Sequence, residues 1–172
     1  MKYLQLFERF YQPDPKIVEK LDNLVKELRE KHHGGREFFD ALDFNIKHII
    51  DSKLIIDLVK GNPNEYIASS GEFGDILYNL WKKEKFNCKG IVVFSGKLNA
   101  EKKDVGYHYP ENFNLNNKSF IYVDDSYFSG NTVRKIENYL SRYNSEIKSV
   151  SVVYDGSKEK NEKVKSFFRY YK

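Results

Sequence analysis

Cysteine is almost missing from this chain: Cys88 is the one thiol among 172 residues. An internal disulfide is therefore impossible, which excludes the small stapled folds of oxidising compartments and leaves Cys88 as a structural thiol in a reducing one. No run of eighteen apolar residues and no amino-terminal apolar stretch of signal-peptide form occurs, so neither a membrane span nor secretion is expected and the cytoplasm is the predicted location. Gly-Lys-Ser/Thr and Gly-x-Gly-x-x-Gly are both lacking, which excludes nucleotide sites of Walker and dinucleotide type. His32 and His33 have no third ligand at metal spacing. The formal charge is only +4, with no block of one sign. That balance suits anionic small molecules, and nucleic acid is not an expected partner.

What is present is enough apolar matter for one core: 40% hydrophobic residues, 16% of the chain aromatic, so neither metal nor disulfide is needed for folding. Asp14-Pro15 reads as a cap followed by a first helical residue, and Ile17, Leu21, Leu24, Val25 and Leu28 form one stripe before Gly34-Gly35 stops the helix. A second helical region runs from Arg36 to about Val59. Residues 1–60 are thus expected to form a helical region, flanking the rest or hooding it.

Residues 61–172 alternate differently. Tyr66–Ser70, Gly90–Ser95, Ser119–Val123 and Ile147–Tyr154 read as strands. Helices are expected after Gly71, from Asn131 to about Tyr143, and over Lys158–Phe168. Gly96–Asn117 is polar and aperiodic, a long loop of the kind that often serves as a lid. Its Lys97, Lys102 and Lys103 are candidates to close over an anion, while His108, between Tyr107 and Tyr109, reads as a packing or surface residue. Strands separated by helices or long crossovers imply a three-layer α/β fold with a largely parallel sheet and flanking helices.

The most telling stretch is Val123–Thr132, VDDSYFSGNT. A buried strand ends in two carboxylates and passes through a small-residue turn into a helix whose Val133, Ile136 and Leu140 share one face. Strand carboxyl ends collect ligands in open α/β sheets, and helix N-termini hold anions. Gly130 allows close backbone approach, and the hydroxyls of Ser129 and Thr132 can donate. Asp124 and Asp125 would repel a phosphate, so beside such a cradle they fit sugar hydroxyls or a hydrated Mg²⁺. A phosphorylated ribose meets both demands.

This segment resembles the ribose-phosphate signature of the type I phosphoribosyltransferases: hydrophobic strand, two acids, two variable residues, a loop position, Ser or Thr, Gly, any residue, Thr. The resemblance implies that Asp124 and Asp125 contact the ribose hydroxyls of phosphoribosyl pyrophosphate, and that Phe128, Ser129, Gly130, Asn131 and Thr132 bind its 5′-phosphate. Glu65–Leu80 is similar to the same family's pyrophosphate loop, with Ser69, Ser70 and Gly71 in the matching places, and it precedes the acid pair by about the family's separation. The family's fold, its Mg²⁺ and its transfer of ribose 5-phosphate to a nitrogen nucleophile follow as expectations, and Gly96–Asn117 stands where it keeps a flexible hood. Members acting on 6-oxopurines usually carry an acid where this chain has Phe128 and a basic residue near Tyr154–Ser157, so hypoxanthine and guanine are disfavoured as acceptors. Orotate, adenine, uracil or another acceptor stays open. So do the oligomeric state, a homodimer included, and the alternative of a catalytically silent sensor of phosphoribosyl pyrophosphate or nucleotides.

Overall fold

Asp14 opens the first helix in the expected way: its carboxylate accepts from the Lys16 N–H at 2.9 Å, and Pro15 takes the first helical position. The computed structural model describes residues 14–33, 35–95 and 107–169. Helix α1 (Pro15–Lys31) buries Leu21, Val25 and Leu28. The helical region after it divides into α2 (Arg36–Ile46) and α3 (Ser52–Val59). The break is local chemistry, because the Asp51 carboxylate accepts from the Leu54 N–H at 2.8 Å and starts a new helix.

From there strands and helices alternate: β1 (Tyr66–Ser70), α4 (Gly71–Lys82), β2 (Gly90–Phe94), β3 (Tyr107–Tyr109), β4 (Ser119–Tyr127), α5 (Asn131–Ser141), β5 (Glu146–Asp155) and β6 (Val164–Arg169). They form one sheet in the order β3-β2-β1-β4-β5-β6. All neighbours are parallel except β2 and β3. One face of the sheet, through Ile67, Ile91, Val93, Ile121 and Val123, shares a core with α1–α4. The other, through Ala68, Phe94, Phe120, Tyr122 and Val152, packs on Val133, Ile136 and Leu140 of α5. The largely parallel sheet between helical layers is the architecture that the alternation of patterns implies.

Two expectations are corrected. The stretch Gly96–Asn117 contains an edge strand, β3, antiparallel to β2, and residues 96–106 lie outside the described ones. Lys158–Phe168 is not a helix. Its charged first half is exposed and the rest becomes β6, with Val164, Ser166 and Phe168 buried at the two-residue period of a strand. Charge density mimicked a solvated helix, but the outer edge of β5 supplied a pairing partner that no local propensity reveals. The link can be short because Val164 pairs with Val150. Climbing back from Asp155 takes about 17 Å at ~3.3 Å per residue, within the roughly 27 Å that Gly156–Lys163 can reach.

Gly74 sits inside α4. A Cβ there would lie 2.7 Å from Cγ1 of Val93, which is fully buried and turns only about one torsion. Overpacking costs about 1–3 kcal/mol and outweighs the ~1 kcal/mol of helix propensity that alanine offers. Gly74→Ala should therefore lower stability by about 1 kcal/mol; a denaturation midpoint at or above wild type would contradict this close helix-sheet contact.

Candidate functional site

Strand β1 is the pivot of the sheet. It pairs with β2 along its whole length, from Tyr66↔Gly90 to Ser70↔Phe94, but with β4 only from Tyr66↔Phe120 to Ala68↔Tyr122. After β1 the chain leaves through α4 toward β2. After β4 it leaves through α5 toward β5, on the opposite side and the opposite face. Such a reversal opens a crevice at the carboxyl ends of the two strands. Here it is a cleft of about 320 Å³ whose walls include Ser70, Gly71, Asp124, Asp125 and every residue from Ser126 to Val133.

Both acids and the turn thus meet in one cleft. Asp124 is held from two sides: Oδ1 accepts from the Asp125 N–H at 2.9 Å, and Oδ2 accepts from the Tyr122 hydroxyl. Burial, and then the neighbouring Asp125 charge, push its pKa well above the usual carboxylate range, against the lowering effect of those two hydrogen bonds. Asp125 is 6% exposed, and its Oδ1 accepts from the Ser126 hydroxyl at 3.1 Å.

Gly130 caps α5 in the left-handed region, φ +70° and ψ 10°. A Cβ on it would stand 2.5 Å from the Tyr127 hydroxyl, so glycine is required twice over, by dihedral and by contact. The Asn131 N–H reaches Ser129 Oγ at only 3.4 Å, and the Asn131 side chain accepts from Arg134. The first-turn N–H groups of α5 have no acceptor within the helix, and Asn131, Thr132 and Val133 line the cleft. Phe128 is turned aside: its ring packs 6.0 Å from that of Tyr154 and against Gly156, forming a wall.

The β1–α4 junction is tighter than a loop. Gly71, at φ +59°, is already the first residue of α4. Ser69 does not line the cleft; it is fully buried and its hydroxyl donates to the Val123 carbonyl at 2.6 Å, clamping β1 to β4 just past the end of their ladder. Ser70 lines the cleft, but its hydroxyl lies 2.7 Å from that of Tyr122. The N-termini of α4 and α5 therefore face one space from two sides, each with the positive end of its dipole. Lys97, Lys102 and Lys103 lie outside the described residues.

Three charged residues at the rim were not singled out from the sequence: Asp40 of α2, Lys47 at its C-terminal end, and Glu72 of α4. Lys47 lies 3.8 Å from Glu72. Their convergence depends on how α2 packs near α4, which no local pattern encodes. Tyr122 was legible, since a tyrosine in an apolar strand two residues before an acid must point to the acid's face. Burial pushes the Cys88 thiol up to about 11, which disfavours the reactive thiolate. No group of three metal-ligating side chains occurs among the described residues, and no helix among them is long and apolar enough to cross a membrane.

No family model matches the chain, and no curated protein matches it. Similar solved structures include a purine phosphoribosyltransferase from Pyrococcus horikoshii, 12% identical over 90% of this chain and 82% of that one, with a TM-score of 0.46. A hypoxanthine-guanine phosphoribosyltransferase from Bacillus anthracis is 15% identical over 88% and 77%, with a TM-score of 0.45. An adenine phosphoribosyltransferase from Thermoanaerobacter pseudethanolicus is 17% identical over 67% and 68%, with a TM-score of 0.42. Likenesses this distant assign no role to any residue here.

Proposed function

We propose that the protein binds phosphoribosyl pyrophosphate in the switch-point cleft and transfers ribose 5-phosphate to a nitrogen nucleophile. The observation that carries this reading is the meeting of an acid pair with two helix N-termini in one cleft. The substrate has a phosphate at one end, a diphosphate at the other and vicinal hydroxyls between, and the cleft offers a complementary order. The first turn of α5 would take the 5′-phosphate. Asp124 and Asp125 would accept from the ribose hydroxyls, and the N-terminus of α4, at Gly71 and Glu72, would face the diphosphate.

Departure of pyrophosphate leaves the anomeric carbon electron-poor and adds negative charge to the leaving group. Donors fixed at the leaving group stabilise that change, and alignment of sugar and nucleophile supplies much of the remainder. No protein nucleophile is needed. The residues present fit Mg²⁺ that enters with the diphosphate: two carboxylates line the cleft, and this ion keeps waters and takes one or two carboxylates together with substrate phosphates. When bound, it would neutralise charge on the diphosphate, with Asp124 or Asp125 touching its water shell. Residues 1–60 and 61–172 would then act as specificity region and catalytic core, in a homodimer or a monomer.

A second reading, ligand sensing without turnover, is favoured by the β1–α4 junction. The hydroxyls of Ser69 and Ser70 are engaged within the protein, and among the described residues the basic side chain at the cleft is Lys47, opposite Glu72. Calorimetry with phosphoribosyl pyrophosphate and Mg²⁺, followed by a pyrophosphate-release assay against orotate, adenine and uracil, separates the two. Binding with release supports the transferase, binding without release the sensor, and no binding sinks both.

Gly130→Val gives a sharper test of the phosphate cradle. A β-branched residue at φ +70° carries strain of roughly 1–3 kcal/mol, and its Cβ meets Tyr127. Phosphoribosyl pyrophosphate affinity should fall at least about tenfold; undiminished affinity would put the phosphate elsewhere.

A further inference from the structure

Between Ser119 and Val123 every residue of β4 after the first is fit for an apolar core except Tyr122, whose hydroxyl is carried into it with the side chain only 1% exposed. Phenylalanine or leucine would fill such a place without the cost of burying a hydroxyl. That hydroxyl donates to Asp124 Oδ2 and lies 2.7 Å from Ser70 Oγ. With the Tyr122 proton given to Asp124 Oδ2, the Tyr122 oxygen is left to accept, so Ser70 donates to Tyr122 and Tyr122 donates to Asp124. The chain crosses from β1 to β4 just where their backbone pairing ends at Ala68↔Tyr122. It connects the mouth of α4 to the acid pair.

We propose that Tyr122 is a positioning residue that ties the two ends of the cleft together, fixing the Asp124 carboxylate for the sugar while turning the Ser70 proton away from the diphosphate. This rests on the reading of the cleft given under Proposed function. With Oδ2 held by Tyr122 and Oδ1 by the Asp125 N–H at 2.9 Å, Asp124 has one orientation before ligand arrives, and its remaining lone pairs are available to ribose hydroxyls. Less side-chain freedom is then lost on binding. The same bond commits the Ser70 proton to Tyr122, so Ser70 presents lone pairs, not a donor, at the α4 end. The two ends of the cleft are thereby set in opposite senses: one hydroxyl strengthens the sugar end and withholds a donor from the diphosphate end.

Ribose 5-phosphate and magnesium pyrophosphate, titrated separately by calorimetry, read the two ends independently. Tyr122→Phe should weaken ribose 5-phosphate roughly tenfold, the loss of one charge-assisted contact's worth of order, while pyrophosphate affinity holds or rises. Ser70→Ala should weaken ribose 5-phosphate by about two- to threefold although Ser70 lies at the other end, and the double variant should bind no worse than Tyr122→Phe alone. Ser70→Ala keeps the test decisive should Tyr122→Phe fold poorly. Unchanged ribose 5-phosphate affinity in both variants overturns the proposal, as does an equal loss of both ligands, which general loosening would produce. Wild-type protein that binds neither ligand overturns the proposed function along with it, whereas wild-type binding with indifferent variants removes Tyr122 alone.

Discussion

Arg169→Ala is expected to lower the unfolding free energy by about 3–5 kcal/mol, the usual result of leaving one member of a buried ion pair behind. Asp155 and Arg169 are the final pair in the β5–β6 ladder, their side chains are 3% and 10% exposed, and Nε lies 3.2 Å from Oδ2. The other carboxylate oxygen of Asp155 accepts from the Ser157 N–H at 2.9 Å and from its hydroxyl at 2.6 Å. Those two bonds cannot neutralise a buried charge. For a chain of this size the melting temperature should drop by roughly 6–20 °C. The loss measures the stranded carboxylate more than the worth of the pair, so Asp155→Asn combined with Arg169→Met should recover much of it. A fall under about 1 kcal/mol for Arg169→Ala would mean that water reaches Asp155.

The acid pair should respond in two opposite ways. Asp124→Asn with Asp125→Asn should weaken phosphoribosyl pyrophosphate more than about 100-fold, because a hydrogen bond to a charged group is worth roughly 1.5–3 kcal/mol and two would be lost. Unchanged affinity in calorimetry would reject the sugar assignment. The ligand-free fold should gain stability from Asp124→Asn alone. Burial and the Asp125 charge raise the pKa of Asp124 in the folded protein, so its contribution is fully present below the ordinary carboxylate range and is lost as pH rises through the raised value. Above the ordinary carboxylate range the wild-type protein bears that loss increasingly, and the amide, which cannot ionise, does not. A higher melting temperature than wild type is expected near pH 7, with the difference shrinking toward pH 4. A variant less stable than wild type at both pH values would show Asp124 to be a net structural support. Opposite signs for stability and binding are what a site held ready for a ligand produces.

The core of the fold could be read along the chain because its signals are local. Asp14-Pro15 caps a helix by chemistry within three residues, the apolar strands carry their own period, and VDDSYFSGNT holds strand end, acids, glycine turn and helix start in ten consecutive positions. The edges could not be read so. Val164–Arg169 resembles the end of a charged helix until β5 stands beside it, and Tyr107–Tyr109 becomes a strand only against β2. Pairing energy comes from residues far away in sequence, and a window along the chain does not contain them.

For the site the division is similar. The sequence by itself determined which residue types stand together: a glycine, two adjacent carboxylates and hydroxyls before a helix are properties of composition and order. Only the tertiary structure decided which of them share a space. It removed Ser69 from the cleft by giving its hydroxyl to Val123, turned Ser70 toward Tyr122, and brought Lys47 and Glu72 to the rim. The physical reason is the early end of the β1–β4 ladder. Where two parallel strands part, their side chains and helix ends must find new partners across the gap, and those partners are set by sheet order, not by neighbours in the chain.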